Sequence, residues 1–173
     1  LPAAIGYATI TLVANNSAGN SASYKIDYAA SAASANPAAT SFHTTASDAS
    51  GTSLVDSNYM FVADDESNVI RLYHRKQSGA ALYALDVENA VGASSECDLE
   101  GSSLSVKFNT GKRIYWMGSM GNNKSGALRP DRNKVMATEI SGDSSNATIS
   151  VKSYSNQFRN ALISWGNAQG WNF

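Results

Sequence analysis

The sequence predicts a mainly β protein: antiparallel four-stranded meanders, an N-terminal hairpin and one C-terminal amphipathic helix. Three observations carry this. Apolar and polar residues alternate in short runs. Asn/Gly or Asp/Ser/Asn clusters separate the runs. A 3.6-residue apolar period appears only near the C-terminus. Hydrophobic residues reach 43%, enough for a sizeable core.

The first element is a hairpin over 7–28. Thr9, Thr11 and Val13 alternate with Ile10 and Leu12, and Tyr24, Ile26 and Tyr28 alternate with Lys25 and Asp27. The Asn- and Gly-containing residues 15–20 turn between them. A lone hairpin is marginal in water, so these strands are expected to complete a larger sheet. Residues 29–57 are rich in Ala, Ser and Thr, with few large apolar residues beyond Phe42, Leu54 and Val55. They read as a linker or an extended edge segment.

From residue 58 the pattern sharpens. Strands are expected at 59–63, 69–73 and 81–87, then at 104–108, 113–117, 134–140 and 147–151. Two meanders of roughly 45 residues each have the size of β-propeller blades, so 58–173 reads as a partial propeller. Phe158, Ala161, Leu162 and Trp165 then fall on one helix face. This predicts a helix near 156–165, with Ser155 as N-cap, Gly166 as a left-handed stop and Trp165 packed on the sheet.

Composition excludes several classes. Thirteen cations against 14 anions leave no basic surface of the kind nucleic-acid binding needs. No run approaches the roughly 18 apolar residues of a membrane span. One cysteine, Cys97, excludes an intramolecular disulfide and a multi-Cys zinc site. Charge is also uneven: residues 1–57 hold Lys25, Asp27, Asp48 and Asp56, whereas 58–140 hold ten cations and ten anions.

Chemistry is sought where that charge lies. Asp64-Asp65-Glu66 ends a predicted strand. Adjacent carboxylates repel unless solvated or shared by a cation, and hard oxygen ligands suit Ca²⁺. Extended-chain alternation would put Asp64 and Glu66 on one side; a solvated turn is the alternative. Asp98 and Glu100 share a side in the same way, before Gly101, as metal ligands, an acid/base pair or a polar lead-in to the next strand. Cys97 sits between Glu96 and Asp98, so its thiol pKa is expected to be raised, against a nucleophilic role. In the long loop, Arg129 and Arg132 flank Asp131 and could orient it, clamp an anion or only pin the loop. Lys124-Ser125 lacks the following helix of a phosphate loop. His43 and His74 lack a nucleophile pattern nearby.

The segments 59–73 (YMFVADDESNVIRLY), 98–101 (DLEG) and 113–121 (RIYWMGSMG), with 129–133 (RPDRN), resemble a bacterial family of uncharacterised secreted β-propeller proteins. That family is distantly similar to the esterase-like phytase propellers. The resemblance implies a propeller with carboxylates on a pore-facing rim, an extracellular location, and Asp64, Asp65, Glu66, Asn68, Asp98, Glu100, Arg129 and Arg132 as motif residues. Residues 7–28 resemble the last hairpin of a bacterial immunoglobulin-like repeat. Both likenesses cover only part of their families' folds. The chain is therefore expected to be a piece of a longer secreted protein, or a subunit whose missing strands come from neighbours. Two functions are expected. The first is an extracellular binding or structural module that joins other protein chains. The alternative is a Ca²⁺-assisted hydrolase of phosphate or carboxylic esters, with Asp64, Glu66, Asp98 and Glu100 as metal ligands and Asp65, Asn68, Arg129, Asp131 and Arg132 around the ligand.

Overall fold

The computed structural model describes residues 6–15, 21–30, 41–108 and 111–171. They fall in two compact units, residues 1–40 and 41–173. The first holds a hairpin, β1 (Gly6–Asn15) antiparallel to β2 (Ser21–Ala30), with Ile10 opposite Ile26. The expected turn lies largely outside the described residues.

The second unit is built of two four-stranded antiparallel sheets, each a meander in chain order. The first comprises β3 (Ala49–Leu54), β4 (Tyr59–Asp64), β5 (Val69–His74) and β6 (Tyr83–Asp86). The second comprises β7 (Leu99–Phe108), β8 (Gly111–Gly118), β9 (Val135–Ser141) and β10 (Thr148–Ser155). Asp56 forms the β3–β4 turn, its Oδ1 accepting the amides of Asn58 (2.7 Å) and Tyr59 (2.9 Å).

Successive residues of a strand face opposite ways. One face of the first sheet carries Phe61, Ala63, Ile70 and Leu72; the facing side of the second carries Ile114, Trp116 and Met136. All are buried in one core with Val87, Val91, Cys97, Leu99 and Ile149. Each large apolar side chain so buried contributes about 1.5–3 kcal/mol. The Trp116 indole N–H, deep in that core, donates to Thr138 Oγ1 at 2.9 Å. Across the sheets, the Tyr83 hydroxyl donates to the Ile149 carbonyl at 3.1 Å.

Within 29–57, read as a linker or an extended edge segment, β3 is an edge strand of the first sheet with a linker's composition. The reason is packing. The sheets meet closely at their first strands, where Ser102 Oγ donates to the Thr52 carbonyl at 2.7 Å. A Cβ on Gly51 would already stand 3.6 Å from the Gly101 carbonyl carbon and from the Trp116 ring. Only small residues fit such a seam, so β3 has a linker's composition. It also shows a repeat: Ser50-Gly51-Thr52-Ser53-Leu54 recurs as Glu100-Gly101-Ser102-Ser103-Leu104, and both strands carry a bulge just before the glycine.

Residues 43–47 cross the opposite face of the first sheet. The Tyr73 hydroxyl donates to the Thr44 carbonyl at 2.7 Å, the His43 ring lies 4.9 Å from that of Tyr73, and the Ser47 amide donates to Asp64 at 3.2 Å.

The helix, α1, spans Phe158–Ala168. Three details of its expectation are corrected. Ser155 Oγ accepts the Gln157 amide (3.2 Å), so it closes the turn before the helix rather than capping it. Gly166 is inside the helix, and the left-handed residue is Gly170, at φ 82°. Trp165 does not pack on the sheet: it is 52% exposed and meets Trp171 edge to face at 5.1 Å.

Gly118, at the end of β8, gives a stringent test of this packing. A Cβ there would lie 2.5 Å from the Cys97 carbonyl oxygen and would also strike that of Arg132. Both clashes are with backbone atoms, which cannot swing aside as the end of a side chain would. Gly118→Ala is expected to lower the unfolding free energy by about 3 kcal/mol or more, read by urea denaturation.

Candidate functional site

The site lies where the end of β4 meets the start of β7. Residues 94–98 lead into β7, and three side chains hold them. Asn68, buried beyond β4, donates through Nδ2 to the Ser95 carbonyl (3.0 Å) and accepts the Cys97 amide at Oδ1 (2.7 Å), as a strand neighbour would. Asp131, in the short 3-10 turn Pro130–Asn133, accepts at Oδ2 from the amides and hydroxyls of both Ser94 and Ser95, at 3.0–3.1 Å. Its Oδ1 pairs with Lys134 at 3.1 Å. Arg132 pairs with Glu96 and, at 2.7 Å, with Asp98.

These contacts set the local electrostatics. Burial acts to raise the Asp131 carboxyl, but donors from Ser94, Lys134 and Ser95 outweigh it and hold the pKa down to about 2. The Glu96 hydrogen bond, with the charges of Asp98 and Glu100, raises the Arg132 guanidinium further against partial desolvation. Burial pushes the Cys97 thiol up to about 11, as Asp131 and Glu88 also do against the pull of Lys134. The thiol is therefore inert, as expected, though burial is the principal cause rather than the adjacent acids.

Held this way, Asp98 takes a left-handed backbone, φ 53°. Its carboxylate meets those of Asp65 and Glu100, with one oxygen from each within 4.8 Å of the others. Two ligands across a Ca²⁺ ion, each about 2.4 Å away, are about that far apart. The group could hold a metal ion. Its donors are all hard carboxylate oxygens, and Asp65 Oδ1 is buried with no hydrogen-bond partner, as a ligand atom would be. Asp65 Oδ2 accepts from Ser50 Oγ at 3.2 Å, and the Asp65 amide donates to the Asp48 carbonyl at 2.9 Å, which fixes its position.

The sequence-predicted residues divide accordingly. Asp98 and Glu100 come together, with Asp65 in place of Asp64 and Glu66. Asp64 is the last residue of β4 and points to the opposite face, where it pairs with Arg71 at 2.9 Å; Glu66 is exposed in the turn. Alternation fails here because the strand ends at Asp64. Asn68 and Asp131 clamp backbone, and Arg132 pairs with Glu96 and Asp98. Arg129 is exposed and lines a polar depression of about 480 Å³ with Asn122, Lys124 and Arg132. The sequence reading missed Ser94, Ser95 and Lys134; the Ser94-Ser95 pair before Glu96 is the one signal that could have suggested an anchored loop.

Compared with known proteins, the chain matches no family model, no curated protein and no solved structure.

The clamp has a pH signature. The folded Asp131 pKa lies below its ordinary value, so its stabilisation is full above about pH 4 and is lost as pH falls toward 2. Asp131→Asn is expected to cost about 2 kcal/mol at pH 7. That deficit is expected to shrink between pH 4 and pH 2, in denaturant titrations of both proteins.

Proposed function

We propose that the chain is an extracellular β-rich binding and structural module that works by assembling with other protein chains, its two meanders serving as blades of β-propeller type. One observation carries the reading: the reverse face of the second sheet, around Tyr115 and Met117, forms an apolar groove of about 290 Å³. The corresponding face of the first sheet, around Phe61 and Ala63, is fully used in sheet packing. Exposed Phe158, Leu162 and Trp165 on α1 add apolar surface of the kind that marks interaction sites. The extracellular placement rests on the likeness of 58–173 to a secreted family. Light scattering across a concentration series tests the reading. The expected result is a mass above the monomer's 18.2 kDa that grows with concentration. A compact monomer throughout would overturn it.

A second reading, a Ca²⁺-assisted hydrolase of phosphate or carboxylic esters, is favoured by the Asp65–Asp98–Glu100 group beside a cationic depression. Asp65, Asp98 and Glu100 would hold the ion, which when bound supplies electrophilic polarisation of the ester. Lys124 and Arg129 would take up the substrate's anionic group. Arg132 borders both. Calorimetric titration of the chain with Ca²⁺ is expected to give saturable heat, and Glu100→Gln to weaken it at least roughly tenfold. Absence of heat and of any thermal shift would remove this reading and leave the first intact.

A further inference from the structure

The loop between β8 and β9 builds a fixed wall around its polar depression. Asn122 bridges to Leu128, and the Asn123 amide donates to the Ala127 carbonyl at 2.9 Å. Inside that turn, Asn123 Oδ1 accepts from the Ser125 amide (3.0 Å), the Ser125 hydroxyl (2.7 Å) and the Ala127 amide (2.8 Å). Gly126 closes the turn in the left-handed region, at φ 81°. At the base, the Met120 amide donates to the Arg132 carbonyl at 3.0 Å, and Glu96 and Asp98 hold the Arg132 guanidinium. The depression is thus shaped before anything enters it, which lowers the ordering cost of binding.

Its lining selects a ligand class. The side chains around it are Asn122, Asn123, Lys124, Ser125, Arg129 and Arg132. None is acidic, and none is aromatic or aliphatic. A nucleobase or an acyl chain finds no apolar surface there, whereas amides and a hydroxyl suit a ligand covered in hydroxyl groups. Its volume of about 480 Å³ has room for a sugar ring. Charge narrows the class. Lys134 is paired with Asp131, and Arg132 with two acids, but Lys124 and Arg129 have no acidic partner among the described residues. These two exposed cations call for an anion. The acids against Arg132, together with the field of Glu100, keep the lining's three cations from acting with their full charge. A single carboxylate suits that balance. A phosphate, with nearly twice the charge, would meet the same acids with more repulsion.

We propose that this depression binds an acidic saccharide through one carboxylate, as a uronic acid carries it. The Arg129 fork and the Lys124 ammonium take the carboxylate. The exposed Asn122 amide takes ring hydroxyls, and Ser125 Oγ, whose own proton goes to Asn123, accepts from another. The inference rests on the hydrolase reading only for placing an anion at Lys124 and Arg129; it needs neither the ion nor the reaction.

Amide-resolved NMR titration of the full chain, with EDTA present, tests it with three sugars that share one ring. These are galacturonate, neutral galactose and galactose 6-phosphate. Galacturonate is expected to move the amide signals of 122–132 saturably, and to bind at least roughly fivefold more tightly than either of the others. Arg129→Gln and Lys124→Gln are each expected to weaken it to a similar degree, and Lys76→Gln, outside the depression, to leave it unchanged. Added salt is expected to weaken it as well. The same spectra report the fold of each variant. Binding of galactose as tight as that of galacturonate, tighter binding of the phosphate, or no shifts at 122–132 with any sugar would overturn the proposal. The Ca²⁺ titration of the hydrolase reading stands apart from all three results. Galacturonate binding by a chain that takes up no Ca²⁺ would keep this site and remove that reading.

Discussion

The second unit depends on how residues 94–98 are anchored. These residues carry backbone groups and two acidic side chains past a buried core, where an unpaired polar group costs about 1–3 kcal/mol. Asn68 answers from the first sheet, pairing with the backbone at Ser95 and Cys97. Asp131 and Arg132 answer from the loop between β8 and β9. One segment is thereby tied to both sheets, and everything after it inherits its position. Leu99 enters the core, Gly101 meets Gly51 across the seam, and Asp98 is turned toward Asp65. The donors on Asp131 are backbone amides, hydroxyls and an ammonium group, all favouring the ionised carboxylate. The clamp is therefore electrostatic as well as geometric.

The seam imposes the opposite requirement. Where β3 and β7 approach, side chains must be small, so the repeated Gly-Thr/Ser-Ser-Leu strands contribute few apolar contacts of their own. The stabilising burial is displaced onto β4, β5, β8 and β9, where Phe61, Leu72, Trp116 and Met136 interdigitate. Hydroxyls at the seam, such as Ser102 donating to Thr52, satisfy backbone groups at the edge that each first strand leaves unpaired.

That division explains what could be read from the sequence. Strands such as 59–63 and 113–117 announce themselves by large alternating side chains. The four-stranded meanders and the C-terminal helix follow from such runs and their turns. Strand β3 does not: it pairs with β4 as an ordinary edge strand, but close approach of the β7 backbone, 50 residues on, keeps its side chains small. The acidic positions were legible as a group but not as a set. Asp98 and Glu100 share a side, as alternation requires. Asp65 replaces Asp64 because Arg71, opposite Val62 on the next strand, draws Asp64 to the other face, and that pairing is a property of register. Asn68, Asp131 and Arg132 were found for their chemistry, yet their partners are backbone amides and nearby acids. Sequence spacing alone does not show such partners.

Arg132 joins the clamp to the carboxylate group. Its guanidinium neutralises Glu96 and Asp98, and the field of Glu100 also reaches it. Asp65, Asp98 and Glu100 still bring three carboxylates together against that one cation. Like charges a few ångströms apart repel by roughly 1 kcal/mol per pair in water and more where water is partly excluded. The repulsion acts across the seam, because Asp65 belongs to the first sheet and the other two to the second. A divalent cation there would reverse the sign of that interaction. It would tie the turn after β4 to the start of β7, and binding only the folded form would stabilise the sheet pair by linkage. A cation held by these side chains would therefore act on the sheet-to-sheet geometry whether or not it also takes part in catalysis.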